Sequence, residues 1–278
     1  MTEPDKRLNA YRADVADARL KGRVTAERFS EGRVMQVVEP VISVHKEPRF
    51  DAMQVSQVLM GEKIRVFVVE NGWAFAQAER DSYVGYVRAD QLSLLVNEPT
   101  HRVSVPSSFL YTSPNIKTQP AVVITLNAEV TVTVGIEKFS TISDGRLIYA
   151  PHLKPIGEFD DDFVAVATMF LNTPYYWGGK SATGLDCSGL VQLALEACGT
   201  PCPRDTDMQE NALGTKRNVN DLDGLRRGDL VFWRGHVGIM TDAQTLLHAN
   251  GHHMLTVAEP LREAVARIET EITSIKRL

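Results

Sequence analysis

The strongest constraint on the fold is a change in hydrophobic period near residue 156. Before it, the apolar residues come in short runs: Val34-Met35-Gln36-Val37-Val38, Ile64-Arg65-Val66-Phe67-Val68-Val69, Trp73-Ala74-Phe75-Ala76 and Tyr83-Val84-Gly85-Tyr86-Val87. They are rich in β-branched and aromatic residues and are split by turn signals, Asn71-Gly72 foremost and Asp81-Ser82 next. Runs this short with this composition read as strands, and about five of them in about 60 residues make a small barrel. A barrel of that size sits near the lower limit for a self-sufficient core, so it must pack against a neighbour.

A second unit of the same kind follows. Shifting the chain by 66 residues places Pro114 on Pro48, Asn127 on Gly61, Val130 on Ile64, Val132 on Val66 and Val134 on Val68. Each copy then carries a proline-containing loop, a strand, a tight turn and an alternating strand, the signature of tandem domains rather than a solenoid. The expected boundaries are a charged lead-in over 1–30, barrels over 31–96 and 97–155, and a third domain over 156–278. In the lead-in, Leu8, Tyr11, Val15, Ala18 and Arg19 follow a loosely helical spacing and predict packing onto another element. The stretch Pro151-His152-Leu153-Lys154-Pro155-Ile156-Gly157 reads as a linker.

Beyond it the pattern alternates. Asp161–Leu171 is amphipathic, with Phe163, Val166, Ala167 and Phe170 on one face, and Leu190–Ala197 is a second apolar helix. Asp229–Trp233, His236–Met240 and Leu246–Ala249 read as strands, Glu259–Thr270 as a helix and Ile272–Ile275 as a last strand. Helices followed by an antiparallel sheet give an α+β order.

Composition removes several function classes. The chain has 278 residues and a formal net charge of −5, with no long basic run, so nucleic acid and anionic membranes are not expected partners. No stretch of about 18 apolar residues occurs, and the opening Met1-Thr2-Glu3-Pro4-Asp5-Lys6-Arg7-Leu8 lacks the apolar centre of a secretory leader. The three cysteines, Cys187, Cys198 and Cys202, suit reduced thiols. Together these predict a cytoplasmic location, although removal of a leader would leave the same composition. Cys198, Cys202, His252 and His253 do not have the spacing of a zinc site, so neither metal nor cofactor is expected.

The chemistry-bearing stretch is Asn172-Thr173-Pro174-Tyr175-Tyr176-Trp177-Gly178-Gly179, followed by Gly184-Leu185-Asp186-Cys187-Ser188-Gly189-Leu190. A compact glycine loop leads into an apolar helical run just after Cys187. That puts the sulfur at a helix N-terminus, where unpaired N–H groups and the helix dipole favour a thiolate. A cysteine at a helix start is more often inert packing, so a base must be found nearby. His236 opens one predicted strand, and His248 lies 12 residues on in the next. Single strand histidines are usually structural, but adjacent antiparallel strands bring these two rings together, one as base and one as its orienting partner.

With these residues in hand, a family resemblance is visible. Thr-Pro-Tyr-Tyr-Trp-Gly-Gly, Leu-Asp-Cys-Ser-Gly-Leu-Val-Gln, Pro203-Arg204-Asp205-Thr206-Asp207-Met208-Gln209, Arg227-Gly228-Asp229-Leu230-Val231-Phe232, His-Val-Gly-Ile and Leu-His-Ala resemble the NlpC-type cell-wall peptidases over about residues 160–250. The resemblance implies a papain-like catalytic domain preceded by two small all-β SH3-like barrels. It also implies a catalytic triad of Cys187, His236 and His248, with Tyr175 assisting the oxyanion beside the Cys187 backbone N–H. Arg234-Gly235 before His236 is shorter than the connection in many relatives.

With its SH3-like units the chain is similar to γ-D-glutamyl-L-diamino-acid endopeptidases of the dipeptidyl-peptidase VI type, which act on murein peptides. By that resemblance Glu47, Tyr83 and Asp186 would receive the free ammonium of an N-terminal L-Ala, since carboxylates and a phenol suit that cation. Ser188 and Thr206 would hold the γ-D-glutamyl α-carboxylate region, and Trp177 would line the substrate site. A solvated loop charge and a barrel-core aromatic are the plain alternatives for Glu47 and Tyr83. Two other functions compete: a wall-binding hydrolase or amidase of broader specificity, and a non-catalytic wall-binding scaffold, which predicts a broken triad.

Overall fold

The computed structural model describes residues 3–136, 138–219 and 222–278; the first two residues of the expected lead-in lie outside the described residues. It divides into two compact units, Met1–Ile156 and Gly157–Leu278.

In the first unit, β1 (Val15–Asp17) and β2 (Arg28–Ser30) pair in parallel, and the described residues of the loosely helical lead-in form turns and short strands with a 3₁₀ turn at Ala18–Leu20, not an α-helix. Its apolar residues are used in packing instead: Ala10 and Val15 join Phe67, Phe75 and Val84 in one cluster. The Arg7 carbonyl accepts the Val84 N–H at 2.8 Å, and the Leu8 carbonyl accepts the Gln77 side chain at 2.8 Å.

Seven strands then form one sheet where about five were expected. They are β3 (Arg33–Val37), β4 (Val41–His45), β5 (Gln54–Leu59), β6 (Lys63–Glu70), β7 (Trp73–Ala78), β8 (Val84–Arg88) and β9 (Leu92–Ser93), in the order β5-β4-β8-β7-β6-β3-β9. Val37, Ile42, Val44, Val58, Ile64, Val66, Ala74, Ala76 and Val87 fill their interior. The strands without an obvious signal, β4 and β5, mix serine and glutamine with valine, which dilutes the alternation.

Next come β10 (His101–Val103), β11 (Ser107–Tyr111), β12 (Val122–Thr125), β13 (Glu129–Val130), β14 (Val132–Ile136), β15 (Phe139–Ile142), β16 (Leu147–Tyr149) and β17 (Leu153–Pro155). They form a three-stranded sheet, β13-β10-β17, and a five-stranded sheet, β12-β11-β16-β15-β14. Backbone bonds recur at the 66-residue offset. The Gly61 N–H meets the Val37 carbonyl at 3.0 Å and the Asn127 N–H meets that of Val103 at 3.0 Å. Met60 to Pro40 (3.0 Å) and Leu126 to Pro106 (3.1 Å) are a second such pair, and Val37 to Glu62 (3.0 Å) and Val103 to Ala128 (2.9 Å) a third. Both turns need a left-handed residue, φ 84° at Gly61 and 65° at Asn127, and asparagine is the side-chain-bearing residue that best tolerates it.

In the second unit, Asp162 caps α1 (Phe163–Thr168) by accepting the Val164 and Ala165 N–H groups. A loop and a short hairpin, β18 (Lys180–Ser181) with β19 (Gly184–Leu185), lead to α2 (Cys187–Ala197), which is almost wholly buried. After α3 (Thr206–Ala212), six strands form an antiparallel sheet in the order β20-β25-β21-β22-β23-β24: β20 (Thr215–Arg217), β21 (Leu230–Trp233), β22 (His236–Met240), β23 (Thr245–Asn250), β24 (Leu255–Pro260) and, after α4 (Leu261–Arg267), β25 (Ile272–Arg277). The helix expected from Glu259 begins only at Leu261, because the ring of Pro260 pushes the residue before it out of the helical region into extended backbone, so Glu259 and Pro260 close β24 instead. Glu259 is therefore a strand residue. Among the described residues no helix is long and apolar enough to cross a membrane.

Candidate active site

Cys187 is the first residue of α2, and Asp186 is its N-cap, accepting the Gly189 N–H at 2.7 Å. That cap leaves the Cys187 N–H without a partner inside the helix. Gly189 is required by close approach: a Cβ there would lie 2.1 Å from the Gly179 carbonyl. The turn that presents the sulfur is thus pressed directly onto the glycine loop.

A residue without an expected role holds this turn in place. Arg204 is buried, and its guanidinium meets both Asp186 oxygens at 3.0 and 2.7 Å and the Ser188 hydroxyl at 2.9 Å. The other Asp186 oxygen also accepts the Gly178 N–H at 2.8 Å. Asp186, expected as a carboxylate for a substrate ammonium, therefore has its charge balanced by Arg204 and ties helix, loop and α3 segment together. Ser188 likewise gives its hydroxyl to Asp186, at 3.3 Å. Sequence reading gave Arg204 no role of its own, since nothing in Pro203-Arg204-Asp205-Thr206 shows that its charge would be buried.

The thiol itself lies 3.8 Å from the Thr206 hydroxyl and receives backbone N–H bonds from Ser188 and from Val237, the residue after His236. This places the sulfur against the start of β22. The expectation of a resting thiolate is not met. Burial, and then the Asp186 charge, push the thiol up to about 11, outweighing the hydroxyl and backbone donors. The helix N-terminus supplies donors, but desolvation of a fully enclosed sulfur is the larger effect, so the resting sulfur is S–H. Tyr175, on the glycine loop, is pushed up to about 12 by burial and by the nearby Cys187 and Asp186 charges, so its phenol remains a proton donor. Trp177, on the same loop, is exposed.

The two histidines meet. Strands β22 and β23 pair Ile239 with Leu247, which puts His236 and His248 on one face in diagonal positions. His236 Nε2 and His248 Nδ1 are 2.7 Å apart. On the next strand His248 pairs with Val257, so Glu259 falls on the same face, and its Oε1 is 2.7 Å from His248 Nε2. Arg267 closes the row with two bonds to Glu259, at 2.7 and 2.5 Å, while Asn250 Nδ2 stands 3.0 Å from His248 Nε2. Sequence reading missed Glu259 and Arg267, because a helix assigned across Glu259 hides its alternation with the strand face.

Burial, then the positive charges of His248 and Arg267, hold His236 down to about 3, and burial also lowers His248. Burial raises Glu259, but the bonds from Arg267 and His248 prevail and leave it at about 2. The resting site is a neutral thiol, two neutral imidazoles and one carboxylate. Such a set can move the thiol proton to an imidazole while the sulfur attacks a carbonyl.

In the first unit, Glu47 is exposed and pairs with Arg49 at 3.1 Å, and Arg49 also reaches Asp51. Tyr83 is buried, and its N–H bonds the Asp81 carboxylate at 3.0 Å. Among the described residues no group of three or more His, Cys, Asp or Glu side chains converges as a metal site would require.

The NlpC/P60 family model matches residues 172–271, and the bacterial dipeptidyl-peptidase SH3 domain model matches residues 44–92. A probable endopeptidase of Haemophilus influenzae is 34% identical over 116 residues, covering 37% of this chain and 68% of that protein. The chain belongs to the NlpC/P60 family. It is a cysteine peptidase of that family carrying an SH3-type domain. The γ-D-glutamyl-L-lysine dipeptidyl-peptidase of Bacillus subtilis is 28% identical over 235 residues, covering 75% of this chain and 77% of that one. The crystal structure of an NlpC/P60 family protein from Bacillus cereus superposes with a TM-score of 0.74 at 18% identity, over 88% of this chain and 99% of that one, which establishes the shared fold.

Proposed function

We propose that this peptidase hydrolyses the γ-D-Glu–diamino acid amide of murein peptides that begin with a free L-Ala. The observation that carries the reading is the Bacillus subtilis relative: it is named a γ-D-glutamyl-L-lysine dipeptidyl-peptidase, and the likeness extends over 75% of this chain rather than the catalytic segment alone. In this reading Cys187 is the nucleophile, His236 its base and then the acid for the leaving amine, and His248 the orienting partner. As the sulfur bonds to the carbonyl carbon, the thiol proton passes to His236. The oxyanion is met by the Cys187 N–H and the Tyr175 phenol, and the amine departs with the proton from His236. Water activated by the same ring then releases the acid.

We assign capture of the L-Ala ammonium to Glu47, Tyr83 and Asp186, and contacts along the γ-D-glutamyl residue to Ser188, Thr206 and Trp177. Residues 31–96 and 97–155 serve as tandem SH3-like barrels in front of a papain-like domain at 156–278. A requirement for a free amine restricts the enzyme to released fragments, and we place its work in the cytoplasm, in recycling of wall peptides.

The test is mass spectrometry of products from murein tri- and tetrapeptides, free and N-acetylated. Wild type is expected to release L-Ala-γ-D-Glu from the free peptides only, and Cys187→Ala to release none. Turnover of the N-acetylated peptides without turnover of the free ones overturns the reading. Glu47→Ala or Tyr83→Phe is expected to raise KM for free peptides by about tenfold or more, the scale of one lost charge-assisted bond. Equal losses on free and acetylated peptides would contradict the amine-capture role.

A further inference from the structure

We propose that Glu259 and Arg267 are positioning residues for catalysis: their ion pair sets the tautomer of His248, and through it leaves the Nδ1 lone pair of His236 as the base for Cys187. The proposal rests on the reading of Cys187 and His236 as nucleophile and base.

Glu259 Oε1 and His248 Nε2 are 2.7 Å apart, close enough that one of them must donate a proton to the other. Glu259 accepts two guanidinium bonds from Arg267, at 2.7 and 2.5 Å, so its carboxylate is an acceptor only. Nε2 of His248 therefore carries the hydrogen. A neutral His248 then has a bare Nδ1, which accepts from His236 Nε2 across 2.7 Å. With its hydrogen on Nε2, a neutral His236 is left with an unprotonated Nδ1. Each tautomer in the row is fixed by the one behind it, and the first is fixed by a charge.

Asn250 tests this assignment internally. Its Oδ1 accepts the His253 backbone N–H at 2.8 Å, which orients the amide and points Nδ2 at His248 Nε2, 3.0 Å away. Asn250 alone would thus make Nε2 an acceptor and reverse every tautomer in the row. Glu259, at the shorter distance and with full charge, overrides it. The charged and titratable groups around the row are His236 on β22, His253 after β23, Glu259 on β24, and Arg267 and Glu263 on α4.

The same pair also answers the proton step. When the S–H proton moves to His236 Nδ1, that ring becomes a cation, and its Nε2–H remains on His248. Glu259 supplies the compensating negative charge through His248, while Arg267 moderates it so that the ring still releases the proton to the leaving amine. No group other than thiol, imidazole and leaving nitrogen changes its bonding.

Three measurements on the full chain decide the matter. In ¹⁵N-resolved NMR of the histidine rings, wild-type His248 is expected in the Nε2–H form and Glu259→Gln in the Nδ1–H form or a mixture. An Nδ1–H ring in the wild type overturns the proposal whether or not any peptide is cleaved, so it fails independently of the substrate reading. On L-Ala-γ-D-Glu-diaminopimelate, Glu259→Gln is expected to lower kcat about 100-fold with KM within about threefold, the pattern of lost base alignment. Arg267→Met, which keeps the carboxylate, is expected to lower kcat about tenfold and to move the acidic limb of the kcat–pH profile upward. Wild-type kcat and an unmoved profile in both variants overturn the proposal. Should Glu259→Gln fail to fold, the wild-type tautomer and Arg267→Met still decide it.

Discussion

Two arginine–carboxylate pairs flank the reacting atoms, and they do different work. On the helix side, Arg204 and Asp186 are both buried and bind backbone: the Gly178 and Gly189 N–H groups both end on Asp186. On the sheet side, Arg267 and Glu259 are partly exposed and bind a ring, His248. The first pair fixes where the sulfur is. The second governs where the protons are. An identical pairing chemistry thus supports either architecture or reactivity, according to whether backbone amides or an imidazole complete its hydrogen bonds.

The largest expected effect breaks the helix-side pair. Arg204→Met leaves Asp186 buried without its counter-charge, and removal of one partner from a buried pair costs about 3–5 kcal/mol. A fall in the urea midpoint of that size, with loss of Cys187 alkylation control, is expected; an unchanged midpoint would show that the loop is held by other contacts. The sheet-side equivalent, Arg267→Met, should cost only about 1 kcal/mol, because the guanidinium is partly solvated and Glu259 keeps His248 as a partner. Comparable losses in the two variants would show that both pairs serve architecture alike.

Acid sharpens the same contrast. His236 is held at about 3 in the folded chain against an ordinary 6.5, and His248 is lowered too, so the unfolded chain binds these protons first. Their stabilisation is complete above pH about 6.5 and is lost as the pH falls through that value toward about 3. Glu259, lowered to about 2, adds a loss of the same sign below its ordinary 4.5. Urea midpoints are therefore expected to drop between about pH 7 and about pH 5, and His236→Asn should flatten that drop. The smallest effect is on the free thiol: with Cys187 near 11, iodoacetamide should label it slowly at neutral pH and faster only as alkali is approached. Rapid labelling at pH about 7 would restore the resting thiolate.

Much of the site was legible because its members sit in local patterns. Cys187 follows a glycine loop and opens an apolar helix, and His236 and His248 stand in short apolar runs that alternate as strands do. The 66-residue offset was legible too, since turns that need left-handed backbone admit few residues, here Gly61 and Asn127. Arg204 was not, since nothing local shows that its charge would be buried against Asp186, 18 positions earlier. Glu259 was lost for a different reason: a proline one residue later moves the helix start past it, and only strand pairing reveals the face it shares with His248.

What the chain order determined by itself was period: strands at two, helices at 3.6, and turns where side chains are small or the backbone must turn left-handed. Those preferences are properties of single residues and their near neighbours. Burial is not such a property. Whether Cys187 rests as thiol or thiolate, and which nitrogen of His248 bears a proton, depends on how much water distant segments exclude and which charges they bring. Those choices belong to the tertiary structure, because desolvation and charge pairing act across space rather than along the chain.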